Sequence, residues 1–186
     1  MPRTARKKSE SSIYHVMLRG INKQRIFEDR EDYERFLFLL ERYRETCGYR
    51  VYAWCLMPNH IHILLKEGNE PLYSVFRRVG ASFVYWYNLK YERTGHLFQD
   101  RYKSETVEDD TYFLTVLRYI HQNPVKAGLC NFPDEYLYSS YSHYFKRGNI
   151  DSDFILGMIS KDEFFRFHEE SSGDDCMDIE RRRSQG

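Results

Sequence analysis

Two β-rich runs separated by only two residues constrain the fold of this chain more than any other feature. The runs are 49–57 (YRVYAWCLM) and 60–66 (HIHILLK), and Pro58-Asn59 lies between them. Aromatic and β-branched residues favour strands, whereas a Pro-Asn pair favours a tight turn. The pattern therefore predicts a β-hairpin and, with it, an antiparallel pair of strands.

The segments around this hairpin predict two further strands and three helices, from their apolar periodicity and from the glycines and prolines at their ends. The order is β-α-β-β-α-β-α, and hairpin connections favour an antiparallel sheet. The predicted class is α+β: a ferredoxin-like antiparallel β-sheet with helices packed on one face, plus a short C-terminal helical appendage. The predicted elements are a strand over 12–19, a helix over 30–47, the two hairpin strands, a helix within 70–93, an extended segment and strand over 96–107, and a helix from Asp109-Asp110 that ends before Pro124.

The chain divides into four segments by composition. Residues 1–11 form a flexible basic arm, 12–147 the main domain, 148–170 a C-terminal helical extension and 171–186 a disordered acidic tail. Apolar side chains in 151–170 predict one or two short helices that cover the site, bind a ligand or pack on the sheet. The arm has the composition either of a segment that meets a polyanion or of a solubilising start. Its basic residues include Arg3, Arg6, Lys7 and Lys8.

The zero net charge conceals an uneven distribution. Residues 1–150 carry 23 basic and 18 acidic side chains, whereas 151–186 carry 5 and 10. The body is therefore positively charged and the C-terminal part negatively charged. Because local charge governs contact with phosphates, the zero sum does not exclude a nucleic-acid partner.

Several other classes of protein are excluded by composition. No segment approaches the roughly 20 apolar residues of a membrane span, and the basic start leads into a polar stretch, Ser9 to Ser12, rather than a signal-peptide core. The four cysteines form no C-x-x-C pair, which argues against a zinc ribbon and a disulfide framework. We therefore expect a cytoplasmic protein with reduced thiols and no membrane partner.

His60 and His62 form the most distinctive local motif. Side chains alternate along a strand, so these two imidazoles project to one side while Ile61 and Ile63 project to the other. Two imidazoles side by side can bind a metal ion. The same pattern also arises as two surface or packing histidines, and a metal site needs a third ligand.

Tyr119 and Asn123 form a second motif, four residues apart on a predicted helix and so on one helical face. The phenol and the amide oxygen could meet at one point in space. Equally, Tyr119 could be a packing residue and Asn123 a helix C-terminal residue before Pro124.

Taken together, these motifs resemble the single-tyrosine, HUH-type transposases that process single-stranded DNA, in particular the REP-associated tyrosine transposases. Tyr138 stands where such proteins often have Trp, and residues 148–186 show no match. The matching stretches are HVMLRGINKQRIF (15–27), MPNHIHILL (57–65), GHLFQDRYKS (95–104), YIHQNPVKAGL (119–129) and YLYSSYSHY (136–144).

The resemblance implies a metal-dependent single-stranded DNA endonuclease and strand-transferase. In this interpretation His60, His62 and Asn123 hold a divalent ion, Mg²⁺ or Mn²⁺, and Tyr119 attacks the DNA to give a 5′-phosphotyrosine intermediate. The implied partner is single-stranded or hairpin DNA. We expect a monomer, as in the REP-associated branch; the alternative is a homodimer that exchanges the tyrosine helix, as insertion-sequence relatives do.

Basic and polar side chains close to these motifs are candidate DNA contacts, because they could follow a phosphate backbone. Phe83, Trp86 and Tyr87 have helical spacing, which predicts core packing in preference to base stacking. The candidate contacts are Arg19, Lys23, Arg25, Arg77, Arg78, Gln99, Arg101 and Lys103.

Two other functions fit parts of the same pattern. One is a protein derived from such a transposase that binds hairpin DNA or structured RNA without cleaving it, and whose binding would survive metal chelation. The other is a hydrolase that uses the two histidines with an acidic ligand, although no carboxylate stands at an informative spacing.

Overall fold

A computed structural model of the chain describes residues 8–146 and 148–169. Most of the predicted basic arm and the whole acidic tail lie outside these residues. Single 3-10 turns occur at Ile21–Lys23, Pro133–Glu135 and Tyr141–Tyr144. The strands and helices are β1 (Ile13–Arg19), α1 (Arg30–Cys47), β2 (Arg50–Met57), β3 (His60–Lys66), α2 (Leu72–Lys90), β4 (Lys103–Thr106), α3 (Asp110–Lys126), α4 (Ser152–Leu156) and α5 (Lys161–Glu169).

The four strands form one sheet in the order β2-β3-β1-β4, and every neighbouring pair is antiparallel. The α+β class, the β2–β3 hairpin and the C-terminal helices are therefore confirmed. The two central strands, β1 and β3, pair with His60 opposite Arg19 and His62 opposite Met17. Since paired residues share a face of the sheet, these four side chains lie on one face, called here the histidine face.

Helices cover both faces of the sheet. Lys103 pairs with Met17 and so lies on the histidine face; its neighbour Tyr102 points the other way and contacts the Phe76 ring of α2 at 5.0 Å. Helices α1 and α2 pack together on that face, and Phe36 meets Phe83 there. Helix α3 packs on the histidine face, a second helical layer beyond the one predicted. Consecutive residues of β1 and β3 are buried although they alternate between the two faces, so helices must shield both faces of these strands from water.

Two element boundaries depart from the predictions. Helix α3 continues through Pro124 to Lys126, so the prediction that it ends before this proline is wrong. Proline has no N–H to donate to the Ile120 carbonyl oxygen, so the helix forgoes one hydrogen bond there, while the Pro124 carbonyl oxygen accepts from the N–H of Leu129. Strand β4 covers only part of the extended segment; upstream, Phe98 forms an isolated bridge with Gly20.

Further features of the described residues bear on the sequence-based predictions. Helix α1 ends where Gly48 adopts a left-handed conformation with φ of 70°. Phe83 and Tyr87 are buried in the core, as their spacing predicted. Cys47, Cys55 and Cys130 are free thiols, while Cys176 lies outside the described range. No helix in the described ranges is long and apolar enough to cross a membrane.

A buried carboxylate joins the start of α1 to the end of α2. Asp32 is fully buried, forms the capping box with Asp29, and accepts from Lys90 at 2.9 Å and from the Tyr91 hydroxyl at 2.9 Å. Because a buried charge without partners is costly, this set of contacts fixes the α1–α2 pair in one arrangement.

Replacing Asp32 with Ala should lower the free energy of unfolding by about 3 kcal/mol, since it leaves the Lys90 ammonium and the backbone N–H groups of Glu28 and Asp29 without their buried partner. Urea denaturation measures this loss. Glu31→Ala is the matched control: Glu31 also lies 2.9 Å from Lys90 but is exposed, so its loss should cost under about 1 kcal/mol. Equal effects of the two substitutions would contradict this account.

The C-terminal extension packs on the rest of the fold through a buried pair of histidines. His121 of α3 lies 2.9 Å from His168 of α5 and 2.9 Å from the Ser140 hydroxyl. Nδ1 of His168 lies 2.8 Å from the Phe164 carbonyl oxygen. Of the three roles considered for this segment, the described residues therefore show packing, with α5 on α3 and α4 against β2.

Burial lowers the pKa of His168 to about 4 from an ordinary value of about 6.5. The unfolded chain therefore binds more protons below pH 6.5, and stability should fall as the pH drops from 6.5 towards 4. The expected loss from this one group is about 2 kcal/mol at pH 5. Chemical denaturation at pH 7.5 and pH 5 measures it, and His168→Gln should reduce the difference. An unchanged difference would rule out His168 as its source.

Candidate active site

His60 and His62 lie at the start of β3, where the hairpin places them on one face with ring centroids 5.0 Å apart. His62 is buried and His60 is half-buried. Nδ1 of His60 lies 2.6 Å from Oδ1 of Asn59. A hydrogen bond from Nδ1 to that oxygen orients the ring and assigns Nε2 as the nitrogen that can bind a cation.

Nδ1 of His62 is contacted by another imidazole, that of His15. Nε2 of His15 on β1 lies 2.9 Å from Nδ1 of His62, and both rings are buried. Burial lowers the pKa of His15 to about 3, and burial together with the neighbouring histidines lowers the pKa of His62 well below its ordinary value. Both imidazoles are thus neutral at physiological pH, which is the form a metal ligand requires.

Tyr119 of α3 lies across these histidines. Its ring meets that of His62 edge to face at 5.5 Å and that of His15 at 5.9 Å. The ammonium of Lys126 lies 5.4 Å from the centre of the same ring. The half-buried phenol ring therefore lies between two imidazoles and an ammonium group.

Asn123 follows Tyr119 by one turn of α3, so the two residues share a face of that helix. Its Nδ2 donates to the Tyr119 carbonyl oxygen at 3.1 Å, which leaves the amide oxygen as the atom suited to a cation. Two imidazoles and one amide oxygen form a donor set that suits a divalent ion such as Mn²⁺ or Mg²⁺, with positions left for water and substrate oxygens. Among the described residues, no three His, Cys, Asp or Glu side chains are grouped so as to hold a metal ion. A site at these histidines would therefore need a donor of another kind, such as an amide.

Four of the eight candidate DNA contacts meet beside this group. Arg19, Gln99, Arg101 and Lys103 line one small recess, with Met17 and Asp100. Arg19 is the register partner of His60, and its carbonyl oxygen accepts from the N–H of Gln99 at 2.9 Å. The recess therefore continues the histidine face towards β4.

Lys23 and Arg25 lie on the loop after β1. Nδ2 of Asn59 donates to the Lys23 carbonyl oxygen at 3.3 Å, so this loop packs on the turn that precedes His60. Arg25 forms an exposed ion pair with Glu28 at 3.2 Å. Gly20 is needed at the start of the loop, because a Cβ there would overlap the Gln24 carbonyl oxygen.

Arg77 and Arg78 are not brought to the site. Both lie on α2, behind the sheet relative to the histidine face. Arg77 is exposed, whereas Arg78 pairs with Glu70 at 2.7 Å and contacts the Cys47 sulfur at 3.2 Å. A basic residue on a helix lies far from a site when the helix covers the opposite face of the sheet. The local sequence pattern does not show which face a helix will cover.

Three residues at the site received no role from the sequence. Asn59 and His15 orient the two histidines, and Lys126 lies over the tyrosine ring. Asn59 and Lys126 stand beside predicted ligands in the sequence, which is a usable signal. His15 does not, because only the register of β1 against β3 places it next to His62.

Comparisons with known proteins point to one family. Residues 8–123 match the family model described as IS200-like transposase, a span that is more than half of the chain and includes Tyr119 and Asn123. A Haemophilus influenzae protein assigned to the REP-associated tyrosine transposases is 29% identical over 114 residues, 53% of this chain and 64% of the relative. The REP-associated tyrosine transposase of Escherichia coli K12 is 24% identical over 102 residues, 54% and 59% of the two chains. The matched part is thus under two thirds of each relative.

A solved structure shows the same fold. It is that of a REP-associated tyrosine transposase bound to a REP hairpin, and it superposes with a TM-score of 0.69 at 17% identity. The match covers 82% of this chain and 90% of that one. The sheet and the helices around the histidine face are therefore common to both proteins.

Proposed function

This chain belongs to the IS200-like transposase family, and we propose that it cleaves and rejoins single-stranded DNA next to hairpins, with Tyr119 as the nucleophile. The observation that carries the proposal is the meeting of side chains from two distant parts of the sequence: the ring centroid of Tyr119 lies 5.5 Å from that of His62, which lies 5.0 Å from that of His60. The relative whose solved structure holds a REP hairpin supports the choice of substrate.

The reaction follows from the residues present. The Tyr119 oxygen attacks a backbone phosphorus, the new oxygen–phosphorus bond forms as the bond to the 3′ oxygen breaks, the phenol proton leaves, and the 3′ oxygen takes up a proton. The products are a 5′-phosphotyrosine and a free 3′-OH. Since the bond energy is retained, a second 3′-OH can reverse the step and join a new strand.

His60, His62 and Asn123 would hold a divalent cation beside the phenol. When bound, that ion would offset the charge of the phosphate in the transition state. The protein would orient the reacting groups: Asn59 and His15 contact the imidazoles of His60 and His62, and α3 carries Tyr119 and Asn123 on one face. We further propose that the protein acts as a monomer in the cytoplasm.

The surface around this small recess would contact the DNA strand that leads to Tyr119, through Arg19, Gln99, Arg101 and Lys103. Cationic side chains along one edge of the site would contact successive phosphates, and the Gln99 amide could contact a base edge. The exposed loop that carries Lys23 and Arg25 extends this surface past the β2–β3 turn.

The central test of the proposal is a covalent adduct. A labelled hairpin oligonucleotide with a single-stranded flank is incubated with the protein and Mn²⁺ and resolved on a denaturing gel. The wild type should form a protein–DNA band, and Tyr119→Phe should form none, because it lacks the attacking oxygen. Tyr112→Phe removes a hydroxyl from the same helix and should keep the band. A full adduct from Tyr119→Phe would exclude this residue as the nucleophile.

Chelation separates cleavage from the alternative of a non-cleaving hairpin binder. With EDTA present, the adduct should disappear while hairpin binding, measured by fluorescence anisotropy, remains at least in part. A protein that binds hairpins in the same way with or without metal, and never forms an adduct, would support the binding module and refute the enzyme.

The proposed DNA surface predicts a difference between two exposed arginines on opposite sides of the sheet. Arg101→Ala should weaken hairpin binding and reduce the slope of log affinity against log salt by about one, as expected for one lost phosphate contact. Arg77→Ala removes the same charge from α2 and should change neither quantity. Equal losses from the two variants would show that binding follows total charge and does not use this recess.

A further inference from the structure

Two buried histidine pairs occur in the described structure, and one of them joins the proposed metal site. Nε2 of His15 lies 2.9 Å from Nδ1 of His62, and both side chains are almost fully buried. Nδ1 of His15 is buried and has no hydrogen-bond partner among the described residues. An unpaired buried nitrogen is uncommon, and it shows that this ring is not placed to satisfy both of its polar atoms.

The hydrogen shared by the two rings can sit in either of two places. If His15 donates from Nε2, the remaining hydrogen of a neutral His62 is on its own Nε2, and that nitrogen cannot bind a cation. If His62 donates from Nδ1, its Nε2 keeps a lone pair that can. The contact with His15 therefore decides which nitrogen of His62 is available.

The unpaired nitrogen of His15 favours the first arrangement in the protein without metal. In that arrangement Nδ1 of His15 is only an acceptor without a donor. In the second it carries a hydrogen that no described group accepts, and a buried N–H without an acceptor is the rarer and costlier defect. Cation binding must therefore supply the free energy that moves the pair to the second arrangement.

We propose that His15 is a positioning residue that selects the tautomer of His62 and so sets the affinity of the site for its cation. The inference rests on the metal site proposed above. On binding, the shared hydrogen moves from Nε2 of His15 to Nδ1 of His62, Nε2 of His62 loses its hydrogen, and Nδ1 of His15 gains one. The number of protons on the pair is the same before and after, and neither ring changes its charge.

Substitutions at position 15 separate this role from core packing. His15→Gln can keep an acceptor for Nδ1–H of His62, whereas His15→Leu packs well but offers none. The proposal predicts Mn²⁺ binding 10- to 100-fold weaker in His15→Leu, the usual effect of losing such an outer contact, and a much smaller loss in His15→Gln. A residue that only filled the core would give the reverse order, because Gln buries an amide and Leu does not.

Mn²⁺ affinity is measured by calorimetry and by electron paramagnetic resonance on the full-length protein, with melting temperatures recorded for each variant. Tyr43→Phe is the control, since it removes a side-chain hydrogen bond between α1 and α2, where the Tyr43 hydroxyl lies 2.9 Å from that of Ser82, and it should leave Mn²⁺ affinity unchanged. A folded His15→Leu with wild-type Mn²⁺ affinity would overturn the inference while leaving the metal site standing. Failure of the wild type itself to bind Mn²⁺ would refute the metal site and the inference with it.

Nitrogen-15 NMR of the wild-type histidines gives a readout that does not depend on any variant folding. Long-range proton–nitrogen spectra distinguish the Nδ1–H and Nε2–H tautomers of His62. Addition of Mg²⁺, which is diamagnetic, should convert His62 from the Nε2–H to the Nδ1–H form. A His62 that keeps one tautomer with and without Mg²⁺ would overturn the proposal.

Discussion

The pairing of β1 with β3 in a single register is the constraint on which the rest of the site depends. It sets Arg19 opposite His60 and brings His15 within 2.9 Å of His62. Side chains alternate along a strand, so a slip of one residue would move every one of these groups to the other face. Burial of apolar residues on both faces of the two central strands makes such a slip costly, and the hydrophobic pattern thereby fixes the polar geometry.

Helix α3 completes the site because it is held from two sides. One side lies against the histidine face, where the Tyr119 ring meets those of His15 and His62. On another side, His121 forms a hydrogen bond with His168 of α5, so the C-terminal extension supports the helix that carries Tyr119, the proposed nucleophile. The same residue type serves both contacts: a neutral, buried imidazole that satisfies a polar partner. Because both contacts use buried neutral imidazoles, the stability of the fold depends on pH: protonation of these rings favours the unfolded chain.

Much of the fold could be predicted from local patterns. Alternation and the Pro58-Asn59 turn indicate the hairpin, and helical spacing indicates α1 and α2 closely. One prediction fails at Pro124: the local preference of proline predicts that the helix ends before it, whereas α3 continues through it to Lys126. The face that each helix covers is likewise absent from its spacing, and this is why Arg77 and Arg78 were grouped with residues on the far side of the sheet.

The sequence by itself determined which chemical groups are available. These are the imidazoles of His60 and His62, two residues apart on one strand, and the Tyr119 phenol with the Asn123 amide one helical turn later. It could do so because strand and helix periods are local and fix which neighbours share a face. Only the tertiary structure decided that these two motifs meet, that His15 orients His62, and that Arg101 but not Arg77 borders the site. Those relations depend on strand register and on which face α3 covers, and both are set by burial over the whole sheet.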